Sequence, residues 1–182
     1  MIHPLSEVKT KFIGKNTNIW QFSVILDNAV IGDNCNINCH VFIENNVIIG
    51  NGVTVKSGVY LWDGIKIEDN VFIGPNATFT NDPFPRSKKY PQFFQNTILK
   101  KNCSIGAASI VLGGLTIGEF AMVGAGSLVT KNVPARALVI GSPAKFVTWL
   151  NDDGTKMIFN GKYYIDNYGN NWIHKGRELL KS

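Results

Sequence analysis

A period of six residues runs unbroken through the first half of this 182-residue chain. Ile13, Ile19, Ile25, Ile31, Ile37, Ile43, Ile49, Val55, Leu61, Ile67, Ile73 and Phe79 are spaced by six, and all are apolar. Six is neither the helical repeat of 3.6 nor the strand alternation of two. It is the period of a parallel β-helix, where each hexad supplies one short strand and one turn. Residues two before the repeat positions share the inward face by pleat geometry. They run Thr17, Ser23, Ala29, Cys35, Val41, Val47, Val53, Val59, Ile65, Val71 and Ala77, all small or β-branched. Glycine often follows the repeat residue (Gly14, Gly32, Gly50, Gly74), where it suits a tight corner. Three hexads close one triangular coil, so residues 18 apart stack on neighbouring coils.

The repeat resumes as Leu99, Ile105, Val111, Ile117, Val123 and Val129. The step from 79 to 99 is not a multiple of six, so residues 80–98 form an excursion that breaks the register. Pro83, Pro85 and Pro91 exclude a regular strand there. Phe84, Tyr90, Phe93 and Phe94 argue against disorder. An ordered loop of this length is expected to pack on a neighbouring surface, that of another subunit. Residues 1–12 precede the register and are expected to cap the open end of the coil, and Asn132-Val133-Pro134 to end the repeat. The tail suggests a hairpin from 147–150 and 156–159, a second turn at Asn160-Gly161, and a short helix over 172–181. The expected architecture is all-β: a β-helical domain of about six coils over 1–145, its external loop at 80–98, and an appendage at 146–182.

Composition narrows the function. The net charge is +5, but the coils carry no basic stripe interleaved with aromatics, so no nucleic-acid partner is expected. No stretch approaches the roughly 18 apolar residues of a membrane span, and Met1 to Glu7 lack the regions of a secretory signal. Three cysteines, an odd number, point to a reducing, cytoplasmic compartment rather than a disulfide framework. Cys35 and Cys39 are four apart, but no second ligand pair follows, so no metal is expected.

Ile105-Gly106-Ala107-Ala108-Ser109-Ile110, Val123-Gly124-Ala125-Gly126-Ser127-Leu128 and the turn Gly141-Ser142-Pro143-Ala144-Lys145 sharpen the picture. With the hexads they resemble the left-handed β-helix, hexapeptide-repeat acyltransferases. Leu61-Trp62-Asp63-Gly64 and residues 79–88 are similar to the branch that acetylates nucleotide-linked 3-amino-3,6-dideoxyhexoses. The resemblance implies acetyl-CoA as cosubstrate and a nucleotide-sugar acceptor, dTDP-linked or alternatively UDP-linked. It also implies a homotrimer with sites between subunits, and products destined for O-antigen (lipopolysaccharide) or S-layer glycans. Many relatives carry a catalytic histidine on a coil; here only His40 lies on one, near the N-terminal end.

Asp27, Asn45, Asp63 and Asn81 form a column, 18 apart at one corner. The column reads either as an Asx ladder supporting turns or, for Asp63, Asn81 and the following Asp82, as a catalytic group at the mouth of the loop. In an amine attack on a thioester, Asn81 would orient the amine, while Asp63 and Asp82 would hold the sugar or take the proton. Gly106, Ala107, Gly124 and Ala125 either line a groove for the thin pantetheine arm or merely suit tight corners. Lys131 and Lys145 would meet the coenzyme phosphates. Arg86 and Lys88 would meet a diphosphate, or simply solubilise the loop. Tyr60 and Trp62 would stack on a base or sugar, or pack between subunits. The competing readings are a hydroxyl-directed transferase, a three-histidine metal enzyme, and a non-catalytic assembly module.

Overall fold

The computed structural model describes all 182 residues and contains no helix. Two-residue strands, one per hexad, stack into three parallel sheets that form the walls of a triangular prism. In chain order within a coil, the first sheet holds strands such as Asn36–Ile37, the second Phe42–Ile43 and the third Ile48–Ile49. The pairing register is the one the hexads dictate: Ile37 lies beside Val55, Ile43 beside Leu61 and Ile49 beside Ile67. Ile37 and Ile67 are buried, as are the small residues two places before each repeat position, Thr17 through Ala77. One inward face of each wall therefore supplies a single core that runs the length of the prism.

The prism has about seven coils rather than six, because the repeat extends beyond both expected ends. Residues 1–12 do not lie over the opening as a cap. They form a coil: Ile2 bridges to Ile19, Glu7–Val8 pairs with Val24–Ile25, and Ile13 bridges to Ile31. One residue fewer between Val8 and Ile13 displaces this coil from the hexad count, which hides it in the sequence. At the other end Val133 bridges to Ile117 and Val139 lies beside Val123, so the register also shortens there and the repeat runs past Pro134.

The strand Ala144–Trp149 then turns back antiparallel to Ala137–Gly141, running across the expected boundary at 145. Trp149, the last residue of that strand and 1% exposed, packs into the core at the mouth of the prism. Leu150 and Lys156 make the one bridge of the expected 147–159 hairpin; Ile158–Phe159 instead pairs with Tyr164–Ile165 around the Asn160-Gly161 turn. The expected terminal helix is absent. Asn171–Lys175 and Glu178–Lys181 form a hairpin around Gly176, completing a four-stranded antiparallel sheet. Arg136 holds this sheet to the last coil. Its guanidinium lies over the rings of Phe120 and Trp172, at 4.7 and 5.2 Å, and pairs with Asp152.

Glycine after the repeat residue has a different cause from the one its position suggested. Gly32 and Gly50 do not adopt positive φ. A Cβ at Gly50 would sit 2.5 Å from Asp69 Oδ1 on the next coil, and one at Gly32 would sit 2.6 Å from Asn51 Oδ1. These carboxylate and amide oxygens accept backbone N–H groups one coil away: Lys15 to Asp33, Asp33 to Asn51 and Asn51 to Asp69, at 2.6–2.8 Å. The continuous Asx ladder therefore lies at the corner between the third and first sheets.

Asp166 organises the appendage. Burial would raise its carboxyl. Hydrogen bonds from the Asn170 amide, the Trp172 indole and the backbone N–H groups of Asn170 and Tyr168 outweigh that and hold it down to about 2, against an ordinary 3.8. The sign follows from linkage. A depressed carboxylate contributes stability that is present above its unfolded value and lost as pH falls through the folded one. The Trp172 indole N–H resonance should shift as pH falls from about 4 to about 2. Asp166→Asn should abolish that titration; an unchanged titration in the variant would place the controlling group elsewhere.

Candidate active site

The prism has three edges, and the expected site residues fall on two of them. Gly106, Ala107, Gly124 and Ala125 lie at the edge between the first and second sheets. Asp63, Asn81 and Lys131 lie at the edge between the second and third. On any one coil these edges are a hexad apart, at most about 20–22 Å along the chain.

The loop leaves from the second edge. The chain leaves the second sheet after Thr78–Phe79 and re-enters the third with Thr97–Leu99, Leu99 lying beside Ile67. Both neighbouring coils keep their stacking, so the excursion is an insertion into an otherwise regular prism. Its base is pinned on three sides. Gln95 N–H donates to the Asn81 carbonyl at 2.9 Å, Gly113 N–H to the Thr80 hydroxyl at 3.0 Å, and Thr97 N–H to the Gly64 carbonyl at 3.1 Å. Gly64 has φ +91°, and a Cβ there would lie 2.8 Å from the Gln95 carbonyl oxygen, so only glycine lets the loop return this closely.

Asn81 sits at this base with its amide oriented by the scaffold. Its Nδ2 donates to the backbone carbonyl of Asp63 at 3.2 Å. Only the NH2 end can donate to a carbonyl, so Oδ1 is left as the free acceptor, at the point where the loop leaves the coil. Asp63 is committed to the frame. Its Oδ1 and Oδ2 accept from the backbone and side chain of Asn46, at 2.7 and 3.3 Å, and its own N–H donates to Glu44 Oε2 at 2.7 Å. The expected ladder through Asn45 is replaced by contacts to the residues on either side of it. Asp82 accepts from Phe84 N–H through Oδ1 alone, which leaves Oδ2 available. The positioning roles of Glu44, Asn46, Thr80 and Gln95 went unseen in the sequence. Strict 18-residue spacing points to backbone neighbours, and the bonds these residues make fall off that lattice.

The remaining candidates separate. Tyr60 and Trp62 stand on the outer face of the second sheet with Phe42; their ring centroids are 5.6–6.3 Å apart. With Phe22 and His40, stacked at 5.1 Å, they wall a groove of about 330 Å³. The Trp62 indole donates to the Phe79 carbonyl at 2.9 Å, fixing the ring beside the column. Arg86 and Lys88 lie in the exposed loop and make no ion pair. Phe84, Tyr90 and Phe93 there are 81–84% exposed, a large apolar surface for one chain to leave in water.

At the first edge, Gly106 and Gly124 are imposed by stacking. A Cβ at Gly106 would lie 2.4 Å from Ala125 N, and one at Gly124 would lie 2.7 Å from Ile140 Cγ1. Ala125 is exposed and Ala107 half-buried, so a thin ligand has access to the edge they line. Lys145 lies opposite Ile140, next to that edge. Lys131 does not; it lines the mouth of the prism, together with Asn132 and Arg177. Burial pushes the Cys103 thiol up to about 12 and raises Cys35, so neither is a thiolate at neutral pH. Cys39 Sγ contacts Ser57 Oγ at 3.2 Å, below the Ala107 coil on the same edge.

Comparison with known proteins gives this geometry a context. The description "Bacterial transferase hexapeptide (six repeats)" matches residues 11–45 and 46–81, and "Hexapeptide repeat of succinyl-transferase" matches 97–131. The chain is 58% identical over 158 residues to dTDP-3-amino-3,6-dideoxy-alpha-D-galactopyranose 3-N-acetyltransferase of Aneurinibacillus thermoaerophilus, spanning 87% of this chain and 82% of that one. It is 35% identical over 94 residues to galactoside O-acetyltransferase of Lactococcus lactis, 50% of this chain and 45% of the relative. The fold is shared with a point mutant of AntD, an N-acyltransferase from Bacillus cereus solved in complex with dTDP and coenzyme A. The TM-score is 0.59 at 24% identity, over 80% of this chain and 84% of that one. A matching fold over such a repeat, together with 58% identity across most of both chains, shows that the chain belongs to the bacterial hexapeptide-repeat acetyltransferases.

Proposed function

We propose that this chain transfers acetyl from acetyl-CoA to the 3-amino group of a dTDP-linked 3-amino-3,6-dideoxyhexose. The observation that carries the reading is Asn81, an amide whose nitrogen is tied to the scaffold and whose oxygen is free at the mouth of the loop. The activity of the Aneurinibacillus relative supports the substrate class.

The chemistry needs few groups. The amine lone pair attacks the thioester carbonyl, the tetrahedral oxyanion collapses, and the carbon–sulfur bond breaks. The amine proton goes to Asp82 or to the departing sulfur, giving the acetamide and free thiol. An amine flanked by electron-withdrawing carbons titrates nearer about 8 than the lysine value of about 10.4, so a useful fraction, about one tenth at pH 7, is unprotonated without a strong base. Asn81 Oδ1 accepts an N–H of the incoming amine and points its lone pair at the carbonyl. Asp63, with both carboxylate oxygens occupied, holds the frame instead, and Asp82 is the better proton acceptor. The buried Cys35 and Cys103 offer no acyl-accepting thiolate. Tyr60 and Trp62 provide a platform for the base or sugar, and Arg86 and Lys88 provide cations for the diphosphate.

The same geometry supports a homotrimer. The Ala107–Ala125 edge and the Asn81 edge of one prism are separated by a whole sheet, so thioester and amine meet where one subunit's edge lies against another's. Closed threefold packing supplies that contact and covers the exposed Phe84, Tyr90 and Phe93. Both substrates belong to cytoplasmic pools, which supports a cytoplasmic enzyme.

Mass spectrometry of products from acetyl-CoA and a panel of dTDP- and UDP-amino sugars tests the reading, with acetylation of dTDP-3-amino-3,6-dideoxyhexoses expected. Asn81→Ala should lower turnover by about 10²-fold or more, because small misplacements cost that much, while His40→Ala should leave it near wild type. A trapped acetyl-enzyme formed without sugar would overturn direct attack. Ala125→Trp should fill the first edge and sharply raise the acetyl-CoA dissociation constant by calorimetry; unchanged affinity in a folded variant would place the coenzyme elsewhere. Light scattering at micromolar concentration should give three times the 20.1 kDa chain mass; a monomer would refute the shared site.

A further inference from the structure

We infer that Glu44 is a positioning residue for the transfer, acting one coil below the reacting groups through the Asp63 peptide. The inference rests on the reading of Asn81 given above. Glu44 Oε2 accepts the Asp63 N–H at 2.7 Å. Asp63 carries strict demands. Its carbonyl, in the next peptide unit, accepts the Asn81 amide, and its carboxylate is gripped from below by Asn46. The Asp63 backbone lies at the start of a turn in which Gly64 already has φ +91°, so regular strand pairing does not fix its orientation. The Glu44 carboxylate and the Asn46 donors hold the two ends of Asp63 in place. The direction of the Asp63 carbonyl then decides which end of the Asn81 amide faces the acceptor amine.

The arrangement also explains why a long side chain ending in an acceptor oxygen stands at position 44. Most backbone N–H groups pair with carbonyls one coil away, but the Asp63 N–H, like those of the Asx ladder, is taken by a side chain. An acceptor must reach up from the coil below, and the three side-chain torsions of Glu span the gap. Gln offers a carbonyl oxygen at the same distance, whereas Asp is one methylene too short.

Steady-state kinetics on four variants test this. Glu44→Ala and Glu44→Asp should each lower kcat about tenfold, with KM for both substrates within about twofold and trimer and melting temperature retained. Glu44→Gln should stay within about threefold of wild type. In the Asn81→Ala background, Glu44→Ala should cost little more, because both changes damage one device. Full additivity, or equal losses in Glu44→Gln and Glu44→Ala, would overturn the assignment. A crystal structure of Glu44→Ala should show the Asn81 side chain turned or disordered. An Asn81 amide still bonded to the Asp63 carbonyl would overturn the inference, whichever amino sugar the enzyme accepts. Absence of acetylation by the wild-type enzyme would instead refute the functional reading and leave this structural test standing.

Discussion

Every coil of this molecule depends on the parallel hydrogen bonds it makes with the coils above and below. The ladder fixes which residues stack, and the stacking fixes composition. Ile43 is laid beside Leu61 and Ile49 beside Ile67. A slip of one residue would turn each of these outward and bring its polar neighbours into the core. An unpartnered buried polar group costs about 1–3 kcal/mol, so a slip repeated over several coils would exceed the roughly 5–15 kcal/mol that ordinarily holds a domain together. The buried hydroxyls respect this rule. Thr17 and Ser23 face inward, but each donates to a backbone carbonyl, of Gly32 at 2.7 Å and Asn38 at 2.8 Å.

The same ladder makes the edges specialised. At the corner between the third and first sheets, carboxylate and amide oxygens replace carbonyls as acceptors, and the adjoining glycines leave room for them. At the corner between the first and second sheets, small residues leave the backbone accessible. At the corner between the second and third, one coil carries an insertion, and polar side chains take over where main-chain pairing lapses. On this last edge Asn81 Oδ1 and Asp82 Oδ2 are left uncommitted after the frame's own bonds are made, and that is why the proposed chemistry is assigned there.

The sequence discloses what repeats and conceals what departs from the repeat. Ile13 to Phe79 define wall, register and core because one position in six admits nothing polar, and the loop announces itself as a broken count. The outermost coils escape notice because Val8 and Val133 fall off the hexad lattice by one or two residues. The terminal hairpin resembles a helix in sequence because Trp172 to Lys181 is short and carries no strict alternation; only the φ of +66° at Gly176 marks the turn that divides it. Asn81 and Asp82 are visible from their place at the loop mouth. The bonding that commits Asp63 to the frame is not, because it depends on Glu44 and Asn46 reaching across coils from positions that spacing alone does not relate to it.

The strand Ala144–Trp149 bears on the length of the molecule. A parallel coil presents the next coil with a complete set of donors and acceptors, so nothing within the repeat itself specifies how many coils a prism should have. Reversing direction after Gly141 pairs the last strand of the first sheet with an antiparallel neighbour, while Trp149 occupies the space where a further coil's side chains would pack. The reversal ends the template and denies it to other molecules. Without it, the final coil of one chain and the first coil of another would be interchangeable surfaces, and the prism would be a unit of open-ended polymer rather than a protein of fixed size.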